Sequence, residues 1–300
     1  MLSIPRTLLL TTLAALLAAP AAAAQPAPAP DASPIVVEGR RDQAREIRQL
    51  LDALPRALPD GHIARFEDKA CPVVVGLAAD KNAAIADRMR AVANAAGLRV
   101  GAPACAPNVV VIATADKARL LDYLERSHPY LLASLSRRDI AHLKADPAPT
   151  ALWHLQATIA SDGRRLTPDA VAGVIVNRTT ERATRLRDFA HPSLAGAVLL
   201  VESRALVGLT PTQVADYAAM RAFTGLDPAR IPEGGPRSIL KVLDTPMGGE
   251  TPITVTRWDI AFLRSLYDSD PNVYLRAQRA QIETEMAKDL ARDAEAAAPK

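Results

Sequence analysis

The sequence lacks most of the short signatures that announce a chemistry. It contains no Gly-x-Ser-x-Gly elbow, no P-loop and no dinucleotide-binding glycine pattern, so serine-hydrolase, phosphate-loop and nicotinamide readings have no foothold. Its five histidines, His62, His128, His142, His154 and His191, never fall one helical turn apart. No two imidazoles therefore share a helix face that could hold zinc, and neither a metal nor a cofactor is expected. His128 and His191 each precede a proline, which reads as loop. Beyond the first residues no apolar run is long enough to cross a bilayer, the longest being Gly196 to Val201. The net charge is close to neutral, whereas counterion-release binding needs a clustered basic face, and nucleic acid is not an expected partner.

What is present begins at the N-terminus. Arg6, the apolar run from Leu8 to Leu17 and the small residues Ala21 to Ala24 read as a secretory signal over residues 1–24, with the mature chain starting near Gln25. Removing it deletes Arg6 and no acid, so the formal charge of +3 drops by one. No cysteine stands at the cleavage point to take a lipid, and the expected location is periplasmic or secreted. An oxidising compartment makes the two cysteines, Cys71 and Cys105, a disulfide. Residues 25–34 form an Ala/Pro-rich leader expected to be disordered, followed by one globular domain over 35–300.

The element pattern predicts a mixed α/β (α+β) fold with a βαβ-containing sheet and a largely helical C-terminal third. Ile47, Leu50, Leu51 and Leu54 recur at helical spacing behind Asp42, read as an N-cap, and Pro55 ends the run. Pro72 to Leu77, Asp80 to Gly97 and Asn108 to Ala113 read strand, helix, strand, as a parallel βαβ unit requires. Cys71 and Cys105 precede the two strands by similar offsets, which would set them side by side. Lys117 to Arg126 is a helix, Ser136 to Asp139 a capping box opening another, and Asp146 to Pro149 a break that could mark a sub-boundary near 146–150. Leu152 to Ile159, a turn at Ser161 to Gly163, and Val171 to Val176 predict an antiparallel pair. Gly196 to Val201 is a further buried strand. Thr210, Pro211 and Gln213 write a complete helix start, ending at Gly225, and Thr256 to Asp259 opens a helix with Trp258, Phe262 and Leu266 in one row. From Pro271 a long charged helix, capped by Asp270, is expected to fray toward Lys300.

Several fragments imitate functional motifs. Ser238-Ile239-Leu240-Lys241 has the Ser-x-x-Lys spacing of penicillin-recognising enzymes, but the partner motifs Ser-Asp-Asn and Lys-Thr-Gly are missing, and an ordinary short helix is expected. Asp268 to Asn272 starts like a calcium loop, yet Pro271 interrupts it and Arg279 takes the place of the closing carboxylate. Asn177-Arg178-Thr179 is a sequon, and Arg178, Arg182, Arg185 and Arg187 form a cationic stretch read as a solvated edge. The acids to inspect for general acid/base work are Glu202, behind a buried strand, and Asp216 with the phenol of Tyr217, on the well-capped helix.

The C-terminal third resembles an uncharacterised family of secreted proteobacterial proteins. The resemblance is carried by Gly196 to Glu202, Gly208-Leu209-Thr210 with Gln213, Ala215 to Met220, and Thr256 to Asp268. Some of that kind are similar to zincin-like metallopeptidases, with a His-Glu-x-x-His helix followed by Gly-Leu. Laid over that helix, this chain has Asp216 and Met220 at the histidine positions and Tyr217 at the glutamate. The alternative alignment, through Glu202 to Leu206 and then Gly208-Leu209, supplies one acid and no histidine. The resemblance therefore implies a degenerate relative that has lost its zinc ligands.

Taken together, these readings lean away from an enzyme, toward an exported envelope protein that binds another envelope protein or a cell-wall component. Tyr217, Met220, Trp258 and Tyr267 mark the expected groove, with packed core as the competing reading of the same residues. A divergent hydrolase using Glu202 or Asp216 is the rival.

Overall fold

A computed structural model describes residues 33–54, 61–167, 173, 175, 177, 184, 187–245 and 249–296, with side chains from residue 42 onward. The chain divides into two units, Met1–Gly39 and Arg40–Lys300, and nearly all the described residues belong to the second. The signal and almost all of the leader lie outside the described residues. So does the strand expected over 171–176, apart from Gly173 and Ile175, and so does most of the cationic stretch.

The fold is α+β, built on a five-stranded mixed sheet in the order β1-β2-β5-β3-β4. Strands β1 (Pro72–Val75), β2 (Val109–Thr114) and β5 (Ala190–Glu202) run parallel, and β3 (Thr150–Ala160) lies antiparallel to β5 and to the two-residue β4 (Arg165–Leu166). Helix α2 (Ala79–Ala95) crosses from β1 to β2, giving the expected βαβ unit. The apolar run after Leu194 is continuous because β5 is covered on both faces. Ala197, Leu199 and Val201 enter the larger core with α2, α5 (Pro211–Thr224), α6 (Arg257–Asp268) and α7 (Leu275–Ala296). Val198 and Leu200 enter a smaller core with α3 (Lys117–Ser127) and α4 (Arg137–Ala145). The result is a sheet sandwiched between two helical layers, and the break at 146–149 is the connection that feeds α4 into β3 of the same sheet.

The caps are where the side-chain chemistry puts them. Ser136, Thr210 and Thr256 each close a reciprocal capping box, and Gly225 ends α5 in the left-handed conformation. Between β1 and α2 the chain turns at Gly76 with φ +95°, and any Cβ there would drive into the Ala113 carbonyl of β2. Only glycine combines that backbone with that approach.

Four local expectations need correction. Helix α1 (Ser33–Asp52) begins well before Asp42, which sits inside it and pairs with Arg45 at 2.8 Å. Pro34 falls in the first turn, where a proline costs no hydrogen bond. Strand β5 starts at Ala190, because pairing with β3 carries on through a bulge at Leu155/Gln156. His191 is consequently a buried strand residue rather than a loop residue. Asp270 does not cap α7: it accepts from Asn272 N at 2.9 Å and so closes a turn ahead of the helix. Helix α7 begins at Leu275 rather than at Pro271, and Gln278, Ile282, Met286 and Leu290 are buried along one face of it.

The Cys71–Cys105 disulfide is present, with the Cα atoms 6.0 Å apart. Its geometry differs from a simple side-by-side register. Pro72 pairs with Val109, so Cys71 lies level with Asn108, whose Oδ1 accepts from Cys71 N at 2.7 Å. Cys105 reaches across from the turn in which its N–H donates to Ala102 O. Among the described residues no helix is long and apolar enough to cross a membrane.

Candidate functional site

The acids singled out from the sequence hold structure together. Asp216 on α5 has no exposed surface and accepts from Arg88 Nε at 2.7 Å, Arg88 Nη2 at 3.1 Å, Thr254 Oγ1 at 2.6 Å and Val255 N at 2.8 Å. Glu202 ends β5 against the N-terminus of α3. There it accepts from Lys117 N at 3.2 Å, while Arg204 Nε donates to its other oxygen at 2.8 Å. Tyr217 is buried, its hydroxyl 3.4 Å from Thr150 Oγ1, and burial pushes the phenol's pKa up. The three do not converge on one another. Tyr217 and Met220 are buried in the main core, whereas Trp258 lines a cavity with Arg237 and Ile253 and Tyr267 lines a different one with Arg65 and Phe66, so the four residues do not share one groove.

The Ser-x-x-Lys fragment separates in the same way. Ser238 Oγ donates to Asp259 Oδ1 at 2.6 Å, whereas Lys241 Nζ turns to Asp244 at 2.8 Å. Asp259 is wholly buried, and burial raises its pKa while its four hydrogen bonds, to Ser238, Ile239 N, Thr256 N and Thr256 Oγ1, pull it down.

An open cavity of about 570 Å³ lies elsewhere, along the outer edge of β3. It is large enough for a small ligand. The site exists because β4 is short: it pairs with Thr158 and Ile159 only, and among the described residues no strand pairs with the outer edge of β3 from Thr150 to Gln156. Leu135, Leu143 and Trp153 wall the groove on the α3/α4 face of the sheet, and Leu54, Ile63 and Leu194 on the α5 face. Trp153 is fixed by its indole N–H, which donates to Leu131 O at 2.7 Å.

Two polar side chains give this groove its character. His154 Nε2 lies 2.9 Å from Ala222 O, and because a carbonyl only accepts, the proton sits on Nε2 and Nδ1 is bare. Burial lowers the His154 pKa to about 4, with the nearby charge of Arg221 acting in the same direction, so the ring is neutral at physiological pH. Arg221, on the buried helix α5, is 9% exposed. Its Nη1 donates to Leu226 O, its Nε has no hydrogen-bond partner, and it forms no ion pair among the described residues. Arg230 stands at the mouth, donating to Leu54 O, likewise without an ion pair. Asp146 and Asp227 also line the groove, each with one carboxylate oxygen accepting a backbone N–H, from Ala148 and Ala229.

Neither His154 nor Arg221 was singled out for this role by its sequence pattern. A usable signal for Arg221 was its place in Val214 to Phe223, a helix otherwise buried on every side, where an arginine needs a reason. A second cluster was missed as well: His191 Nε2 lies 2.5 Å from Glu67 Oε1 and its Nδ1 2.9 Å from Asn272 Oδ1. Close by in sequence, His62 Nδ1 lies 3.0 Å from Val273 O. Among the described residues no group of three or more histidines, cysteines or acids is arranged to hold a metal ion.

Fold and site thus define an α+β protein with one disulfide and a groove on an open sheet edge. Comparison with protein-family models, with curated proteins and with solved structures finds no significant match for the chain.

Proposed function

We propose that the protein is an exported envelope protein that acts by binding, and that its ligand occupies the groove along β3. The observation that carries this reading is Arg221: a cation nine-tenths buried at a cavity wall, with no ion-pairing carboxylate among the described residues. Such a group is costly unless something else meets it. Export is supported by the N-terminal pattern and by the disulfide, which suits an oxidising compartment. The kinship with secreted proteobacterial proteins that have lost a zinc site is part of the same reading. At the position of the metal-binding helix this chain has Asp216 and Met220, both buried, with Asp216 committed to Arg88. The hydrolase alternative would need Glu202 or Asp216, whose oxygens are occupied by structural donors.

The test is to express the full chain in a Gram-negative host, recover it from the periplasm, and examine it by native and denaturing mass spectrometry. The reading expects a chain beginning near Gln25 and a bound small molecule or peptide released on unfolding. It fails if the chain retains Met1 in the cytoplasm, or if hydrolysis of peptide or ester substrates is found that Glu202→Gln or Asp216→Asn abolishes.

A further inference from the structure

We infer that the groove takes the C-terminal end of an extended polypeptide as an added strand on the open edge of β3, with its terminal carboxylate on Arg221. This rests on the binding reading above and names the class of ligand.

The edge supplies the first argument. Glu202 N donates to Pro149 O, so the hydrogen-bonded pairs of the β3–β5 ladder fall at Pro149, Ala151, Trp153 and Leu155. The N–H and C=O groups of Leu152 and His154 therefore point away from β5, into the groove. Among the described residues no strand or side chain takes them. Unpaired edge backbone is a template for another strand. Side chains of such a strand would alternate between the two faces, and both are walled: Leu135 and Trp153 on one, Leu54 and Leu194 on the other.

Charge selects the terminus. Arg221 and Arg230 both line the groove. The charge of Arg221 acts on His154 and on Tyr217, whose hydroxyl lies beside Thr150, so it is felt along this stretch of β3. A single carboxylate at the end of an added strand can meet it. His154, neutral with Nε2–H engaged, adds no charge that would compete for the carboxylate. Asp146 and Asp227 line the same groove and disfavour a polyanion such as a phosphorylated ligand.

The experiment is affinity selection of two N-acetylated tetrapeptide libraries on the full mature chain, one ending in free carboxylates and the other in carboxamides. The expected result is retention from the carboxylate library at least about tenfold above the amide library, with Arg221→Lys weakening the best retained peptide by at least about tenfold. Arg230 is exposed, so Arg230→Gln keeps the fold; it should weaken binding about threefold, an effect that shrinks with salt. N-methylation of alternate residues in that peptide should abolish binding, and bound peptide should slow amide exchange at Leu152 and His154. Equal retention of both libraries overturns the carboxylate assignment, and indifference to N-methylation overturns strand addition. Retention from neither library overturns the peptide class. In that case a non-peptide ligand found on the periplasmic protein would leave the binding reading standing, and its absence would remove that as well.

Discussion

Arg88 of α2 grips Asp216 of α5 with two parallel hydrogen bonds, Nε to Oδ1 at 2.7 Å and Nη2 to Oδ2 at 3.1 Å. Thr254 and Val255 add two more donors to the same carboxylate, tying the segment before α6 to the α2–α5 contact. The acid is fully buried while the guanidinium is about a third exposed, which is the tolerable way round, because arginine can keep part of its hydration.

Removing the acid should therefore be felt mainly as lost stability. Asp216→Ala strands Arg88, Thr254 Oγ1 and Val255 N together, and should cost about 3 kcal/mol in urea unfolding. Binding at the β3 groove, which Asp216 does not line, should persist in whatever fraction remains folded.

His154 makes stability fall in mild acid. The unfolded ring titrates at its ordinary value of 6.5 and the folded ring at about 4, so between these limits the unfolded chain holds the extra proton. Stability thus declines as pH drops from about 6.5 to about 4 and levels off below that, by at most about 3 kcal/mol, less to the extent that cavity water solvates the ring. His154→Gln keeps a donor for the Ala222 carbonyl without a titrating group. The difference in urea midpoint between neutral and acid buffer should be visibly smaller in this variant.

Gly76→Ala should be among the most damaging single-methyl additions to the chain. The residue lies at φ +95°, and the new Cβ meets backbone of β2, which has no rotamer to yield. Strain at such a site costs about 1–3 kcal/mol before the clash is counted. Circular dichroism melting should show the largest drop of any glycine-to-alanine change in the βαβ unit.

Reduction of Cys71–Cys105 should lower stability by about 4 kcal/mol in the chain-entropy account, given the separation of 34 residues. The oxidised protein should show no titratable thiol under denaturing conditions. A Cys71→Ala, Cys105→Ala double variant should unfold at a urea concentration that reducing agent does not change, whereas the parent's midpoint falls.

Much of this architecture could be read directly from local patterns. The β-branched runs at Pro72 to Val75 and Val109 to Thr114, the capping boxes at Ser136, Thr210 and Thr256, and the stop at Gly225 are all short-range chemistry, and each element is where those residues put it. Misreadings came where a distant partner decided the outcome. Ala190 to Ser193 is strand because β3 lies beside it through a bulge. Gln278 is buried on α7 because its amide closes on the N–H and C=O of Ile63, 215 residues away.

The site was harder to read for the same reason. Glu202 and Asp216 look chemical in isolation, and only their surroundings show that a helix N-terminus and a guanidinium have already claimed them. Arg221 and His154 look unremarkable in isolation. A shortened β4 opened an edge beside them, and the end of α5 packed against that edge.

The sequence by itself determined which segments are helix or strand, where most helices start, and that two sulfurs could be joined, because caps, periodicity and β-branching act within a few residues. Only the tertiary structure decided which polar groups were satisfied and which were left facing open space. Neutralising a buried charge or pairing an edge strand depends on atoms brought close from far along the chain, and no local pattern encodes that proximity.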